Sequence, residues 1–410
     1  MGNFIAIHLL KNYNPGTFNR GENGEAKQII VGGVNRVRFS SQCQKRAIRE
    51  LMACDEIRTA HIERLIEKCL DVKVADGTLT EAEKDTIGKL ICSKAVIGTD
   101  CWAKLKTKDK VETEKERQGN VVVTTNASEI DALINTFIAY LKEHGAKDLE
   151  KNYKKVAETV ALNDVHLSVA KSLFGTMATD GVLGTVDGAL QMGQAYSVDA
   201  YLPETDIFTV KFTGRSGMDE SDPFFGAYSA FNAAEGRKAA SETFNTGLPL
   251  YSNLIYSYAN INLKELKKNL NTFVGTKEYF ENPETETLIL DTVNQFVQAM
   301  IKMTPEATQN RSASYVEPVA VLIEVIENDT NLQPDWTKVI SNNGREISEQ
   351  AIERLSNFAN NKTFRSGNIK QYVMFGSEFG KFAENFTDAT QLNNFKELTD
   401  ALNSDIQPLI

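Results

Sequence analysis

The chain has 410 residues, with 45 Lys and Arg against 55 Asp and Glu, for a formal net charge of −10. That length exceeds one ordinary core and suggests two or three domains, or one domain carrying large insertions. The negative balance argues against indiscriminate adhesion to nucleic acid but leaves room for a local cationic groove.

An apolar fraction of 41% and a charged fraction of 24% are those of a soluble globular chain. No apolar run approaches bilayer length, and Phe4 to Leu10 is too short and too poor in flanking cations for a leader, so a cytoplasmic protein without membrane contact is expected. Cys43, Cys54, Cys69, Cys92 and Cys101 form no Cys-x-x-Cys pair and read as reduced thiols. His8, His61, His144 and His166 are scattered, so neither a metal nor another cofactor is expected.

In chain order, Phe4, Ala6, His8 and Leu10 alternate with Ile5, Ile7 and Leu9, apolar on both faces as a central strand would be. A loop rich in Gly, Asn and Pro runs from Lys11 to Glu25. After Val37 to Phe39, Ser41 with Gln44 reads as a capping box opening a helix from about Gln42 to Cys54. Cys43, Ala47, Leu51 and Cys54 would share its buried face, with Gln42, Lys45, Arg46 and Arg49 as a stripe on another.

From about Asp55 to Asn163 the pattern is helical. Thr80 with Glu83 opens one helix, and Ser128 another, whose Ile130, Leu133, Ile134, Phe137, Ile138 and Leu141 recur until Gly145. Val165, Leu167 and Val169 alternate as a strand, followed by a glycine-rich stretch from Phe174 to Gly188 that reads as turns. Phe208, Val210 and Phe212 alternate before a loose excursion from Gly214 to Pro249. Leu254 to Ala259 reads as a strand, Asn262 with Glu265 as the cap of the next helix, Glu286 to Met303 as a helix and Val319 to Val325 as a strand. The tail from about Trp336 looks helical, with a break near Phe375 and Gly376.

Stripped of insertions, the order is strand, helix, strand, strand, helix, strand: an α+β, ferredoxin-like unit, the skeleton of an RNA-recognition module. Tyr256 and Tyr258 could stack bases on such a sheet, but the expected aromatic motif is absent and they read as core.

One stretch stands out against the acidic background. From Lys27 to Arg49 the chain carries Lys27, Arg36, Arg38, Lys45, Arg46 and Arg49 and no acid, with Glu25 and Glu50 just outside. A capped helix start beside hydroxyls, an amide and cations suits a phosphate chain. A solvated helix face is the plainer alternative.

Six segments resemble, in order, the backbone subunits of type I-E CRISPR surveillance complexes, the CasC family of Cascade. They are Phe4-Ile-x-Ile-His8, Asn19-Arg20, Gly32 to Gln42 with Lys45-Arg-Ala47, Met177-Ala-Thr179, Val186-Asp-Gly-Ala189 and Tyr258-Ala-Asn-Ile-Asn-Leu263. The resemblance implies a ferredoxin-like (RRM-like) palm over 1–54, 164–205 and 251–329. It also implies a helical fingers insertion over 55–163, a thumb hairpin or loop over 206–250 and a helical C-terminal extension over 330–410.

It further implies RNA contacts from Arg20, Lys27, Ser40, Gln42, Lys45, Arg46 and Arg49, with Met177 wedged against bases. Phe208 and Thr209 would belong to the thumb, and Gln309 and Arg311 to a further RNA-contacting loop. Its implied partners are the guide crRNA, target DNA through the guide, other copies of the chain head to tail and other Cascade subunits. The chain is then expected to be non-catalytic. The competing readings are a metal-independent guide-processing ribonuclease using His8 or His166, and a scaffold without RNA contact.

Overall fold

The computed structural model describes residues 2–21, 25–54, 57–59, 61–102, 123–159, 166–177, 181–206, 209–211, 227–229, 248–274, 279–305 and 313–410. Its centre is a nine-stranded sheet. β1 (Gly2–Asn12) pairs antiparallel with both β12 (Leu254–Asn262) and β13 (Ala320–Asp329), with Ile7 opposite Ala259 on one side and Ile323 on the other. β6 (Leu190–Met192) and β7 (Ala195–Ser197) pair with β12, and a hairpin of β2 (Gln28–Val31) and β3 (Val34–Phe39) continues the sheet from β7.

With β6/β7 as its second strand, the unit runs in the spatial order 4-1-3-2, as a ferredoxin-like sheet does. Of the alternation read as that strand, Val165 lies outside the described residues, and Leu167 and Val169 are not in a strand. Ser168 caps α7 (Val169–Phe174) by accepting from the Lys171 amide at 3.2 Å, and His166 makes only an isolated bridge to Phe273.

The sheet is buried on both faces, as the doubly apolar β1 requires. Ile5, Ile7, Leu9, Ala259, Ile261, Val321 and Ile323 meet α1 (Ser41–Leu51), α8 (Leu263–Leu270), α9 (Thr285–Lys302) and α11 (Phe395–Ile406). Ala6, Leu10, Tyr256, Tyr258, Leu322 and Ile326 face the opposite way, against Trp336, Ile340 and α10 (Ile347–Asn360). The tail is thus not simply helical. Its β14 (Asn368–Phe375) pairs antiparallel with β13, and β15 (Ala389–Gln391) pairs parallel with β14.

Between α1 and α7 lies a helical body with its own apolar core. It comprises α2 (Ile62–Ala75), α3 (Glu81–Ile91), α4 (Lys94–Ile97), α5 (Ala127–His144) and α6 (Ala146–Glu158), together with a pairing of β4 (Ile57–Thr59) and β5 (Val123–Thr125). Thr80 and Glu83 form the capping box read from sequence, whereas α5 is capped by Asn126 rather than Ser128. A buried ion pair, Lys171 Nζ to Glu129 Oε2 at 2.6 Å, ties α5 to α7.

Beyond β7, β8 (Glu204–Asp206) pairs with β11 (Leu248–Leu250) and β9 (Thr209–Lys211) with β10 (Ala227–Ser229), two nested antiparallel pairs. Among the described residues no helix is long and apolar enough to cross a membrane, and none of the five cysteines is in a disulfide.

Candidate nucleic-acid interface

The basic stretch folds around the start of α1. Ser40, extended at φ −66° and ψ 149°, is the N-cap, and its Oγ accepts from the Cys43 amide at 3.3 Å. The cap thus falls one residue before Ser41, and the Gln44 side chain closes no capping box, although its backbone amide donates to the Ser40 carbonyl at 3.1 Å. Gln44 is fully buried, and its Nε2 donates to the carbonyls of Phe39 at 3.3 Å and Gly193 at 3.1 Å. The buried face is accordingly Gln44, Ala47 and Ile48. Leu51 is half exposed, and Cys54 lies beyond the helix end.

The cationic stripe survives this rotation. Gln42 and Arg46 are exposed and Lys45 and Arg49 partly so, with no acid in the first turn to offset the positive end of the helix.

Asn19 gathers the neighbouring loop onto this helix start. Held at φ 47°, it accepts from the Ser40 amide through Oδ1 at 2.8 Å and from the Lys27 amide through its carbonyl at 3.2 Å. Exposed Arg20 follows directly and bridges Ala26. The loop is anchored beneath by Tyr251, whose hydroxyl donates to the Phe18 carbonyl at 2.9 Å and accepts from the Phe18 amide at 3.1 Å, within an aromatic cluster of Tyr13, Phe18, Phe39 and Tyr251. Arg20, Lys27, Ser40, Gln42 and Lys45 therefore sit on one small scaffold.

Arg49 extends it. Its guanidinium lies 5.2 Å from the centre of the Phe174 ring, at the end of α7. There Gly175, at φ 73°, crosses Gly188 so closely that a Cβ would come within 2.7 Å of the Gly188 nitrogen. Thr176 and Val186 then exchange two backbone hydrogen bonds, at 2.9 and 3.0 Å. The glycines of this stretch thus bring backbone against backbone. They also set out Met177, an unbranched thioether left 89% exposed.

Two features of the basic stretch differ from expectation. Arg36 is fully buried and donates to three carbonyls, so it belongs to the fold and not to a cationic surface. Burial pulls its guanidinium below the usual range. Arg46 is paired with Glu50 at 3.0 Å, both exposed, an i,i+4 contact weak enough to yield to a phosphate.

Conversely, two residues outside the implied RNA contacts join the site: Arg38, already named in the basic stretch, and Gln194. Arg38 Nη1 donates to Gln194 Oε1 at 3.2 Å, and Gln194 Nε2 donates to Ser41 Oγ at 3.4 Å. Arg38 was visible as a cation alternating with Val37 and Phe39. Gln194 lies in the short connection from β6 to β7 and has no sequence signal.

Phe208, Gln309 and Arg311 lie outside the described residues, and of Thr209 only the backbone, at the start of β9, is described. The sheet face on which an RNA-recognition module stacks bases is closed. Tyr256 and Tyr258 are core, as read from sequence, with Trp336 5.0 Å from the Tyr256 ring. His8 is fully buried there between the Tyr256 hydroxyl at 2.9 Å and Glu324 at 3.3 Å.

The sequence matches the family model described as CT1975-like protein over residues 5–211 and 219–401. The chain belongs to that family. Two solved structures share its fold from end to end. One is titled a CRISPR RNA-guided surveillance complex, pre-nicking, with a TM-score of 0.70 and 21% identity over 98% of this chain and 99% of that one. The other is titled a CRISPR RNA-guided surveillance complex, with a TM-score of 0.62 and 18% identity over the same shares. A search of curated proteins found no match.

Proposed function

We propose that this chain is a non-catalytic, guide-RNA-binding backbone subunit of a CRISPR surveillance complex of type I-E. Copies would stack head to tail along the crRNA and present it to target DNA. The observation that carries this reading is the cationic edge at α1, where Asn19 joins the Arg20/Lys27 loop to a capped, acid-free helix start. Family membership and the fold shared with subunits of RNA-guided complexes support it.

Such an edge holds phosphates and ignores base identity, leaving specificity to pairing within the guide. Met177 would press on bases from the side of Arg49. A heterologous contact repeated without closure yields an open filament, so the guide or other subunits of the complex would set its length. In this reading 55–163 serves as fingers and 206–250 as the thumb that reaches a neighbouring copy, with Phe208, Thr209, Gln309 and Arg311 adding RNA contacts.

The burial of His8 among aromatic rings favours packing over acid–base work on RNA, and His166 packs edge-on against Phe273 at 4.5 Å. Incubation of the purified protein with a guide precursor tests the proposal. Protection at regular intervals is expected, whereas a cut abolished by His166→Ala would replace it with the ribonuclease.

A further inference from the structure

The β2–β3 hairpin carries Arg38 and leads directly into α1, yet most of it has no ladder partner besides itself. β3 pairs with β7 only at Arg38 and Phe39, so Gln28 to Asn35 would be a two-stranded ribbon, marginal in water by itself. The Tyr201 amide donates to the ribbon's Asn35 carbonyl at 2.9 Å, and two further contacts, from its turn and from Arg36, meet one atom of the C-terminal extension. At the turn, Gly32 (φ 59°) approaches the Thr337 carbonyl so closely that a Cβ would lie 1.9 Å from its oxygen. Further along, Arg36 Nη2 donates to the same oxygen at 2.9 Å, while Nη1 donates to the carbonyls of Ser197 at 3.1 Å and Val198 at 3.3 Å.

Thr337 is itself fixed. Asp335 accepts from its amide at 2.8 Å and from its hydroxyl at 3.0 Å, and Trp336 between them is 1% exposed in the core of the second sheet face. Ile340 then donates its amide to the Val198 carbonyl at 2.9 Å.

We propose that Arg36 is a positioning residue through which the segment 335–340 of the C-terminal extension sets the angle of the β2–β3 hairpin, and with it the placement of the Lys27 and Arg38 cations. The basic stretch thereby divides into cations that meet a ligand and one that meets none. Arg36 spends its charge on carbonyl oxygens of two elements far apart in sequence, and buried charge-assisted hydrogen bonds of this kind fix geometry well. The functional consequence rests on the RNA-binding reading above; the mechanical claim does not.

The test uses the full chain with Arg36→Met, which keeps volume but removes every donor, and Gly32→Ala, which changes no charge but drives a Cβ into Thr337. Hydrogen exchange should quicken at the amides of Gln28 to Arg36 in both variants while β1 and β13 stay protected. Binding to a fluorescein-labelled single-stranded RNA of mixed sequence should weaken about tenfold, some 1.4 kcal/mol, at every salt concentration. The slope of log K against log salt should not change, because only the population of the ordered hairpin falls and the bound state keeps its phosphate contacts, whereas Lys45→Ala should lower it by about 0.7.

Unchanged hairpin exchange in both variants overturns the proposal. So does a slope loss in Arg36→Met equal to that of Lys45→Ala, since Arg36 would then touch phosphate itself. Should Arg36→Met fail to fold, Gly32→Ala decides alone. A wild-type protein without salt-dependent RNA binding would remove the RNA-binding reading, and the exchange result would still decide the positioning.

Discussion

The two faces of the central sheet are closed by different parts of the chain. On one, α1, α8 and α9 lie where the β-α-β-β-α-β order puts helices, and α11 joins them. On the other, the sheet that an RNA-recognition module leaves open for bases is sealed by Trp336, Ile340 and α10, all from the last fifth of the chain. With both faces taken up by packing, the proposed RNA contacts fall to the rim of the sheet, around the start of α1. The same skeleton therefore separates stability from binding: changes on the sealed face should alter folding, and changes at the rim should alter affinity.

The largest effect should come from Trp336→Ala, which empties the centre of the sealed face. A loss of about 3–5 kcal/mol in urea unfolding is expected. A loss below ~1 kcal/mol would mean that the extension rests on the sheet without holding it.

Acid should act on the same face through Glu324. Burial alone would push its carboxyl up, but the hydrogen bond and charge of His8 and the charge of Arg365, 2.6 Å away, bring it down from 4.5 to about 2. Between those values the unfolded chain binds the extra proton. Stability held above pH 4.5 should then fall as pH drops towards 2, by roughly 3 kcal/mol in all, and Glu324→Gln should lose that dependence.

Asp199 works in the opposite sense. Burial raises it from 3.8 to about 6 against its bond to Asn253 at 2.7 Å, so the folded chain binds the extra proton in that window and stability falls as pH rises through it. Asp199→Asn should stabilise the protein at pH 7 by about 1–2 kcal/mol, allowing for partial exposure, and flatten that limb of the pH curve. At the rim, Lys45→Ala should change stability by less than about 0.5 kcal/mol. A larger shift in the thermal melt would make Lys45 a structural residue.

What the sequence disclosed follows how far each signal is local. β1 and β12 were legible because long, doubly apolar strands leave a strong pattern. The caps at Thr80 and Asn262 were legible because a capping residue lies within one turn of its partner. β6 and β7, at three residues each, are too short to alternate.

β14 escaped because inward-facing Gln371 breaks its apolar period; its Nε2 donates to Glu324 at 2.7 Å and to the Ala359 carbonyl at 3.0 Å, and its Oε1 accepts from Lys362 at 3.3 Å, partners that make the amide acceptable in the core. The cationic stripe on α1 was readable from helical spacing alone. Arg36, on β3, stood in the same basic stretch with nothing local to mark it as buried, since the carbonyls it donates to belong to Ser197, Val198 and Thr337, all remote in sequence.

Fluorescence anisotropy of single-stranded RNA across a salt series, with wild type and Lys45→Ala/Arg49→Ala side by side, examines the rim most directly. The double variant should bind more weakly and with a slope of log K against log salt shallower by about 1.4, two phosphate contacts' worth. Coincident lines for the two proteins would mean that the α1 edge does not face the nucleic acid.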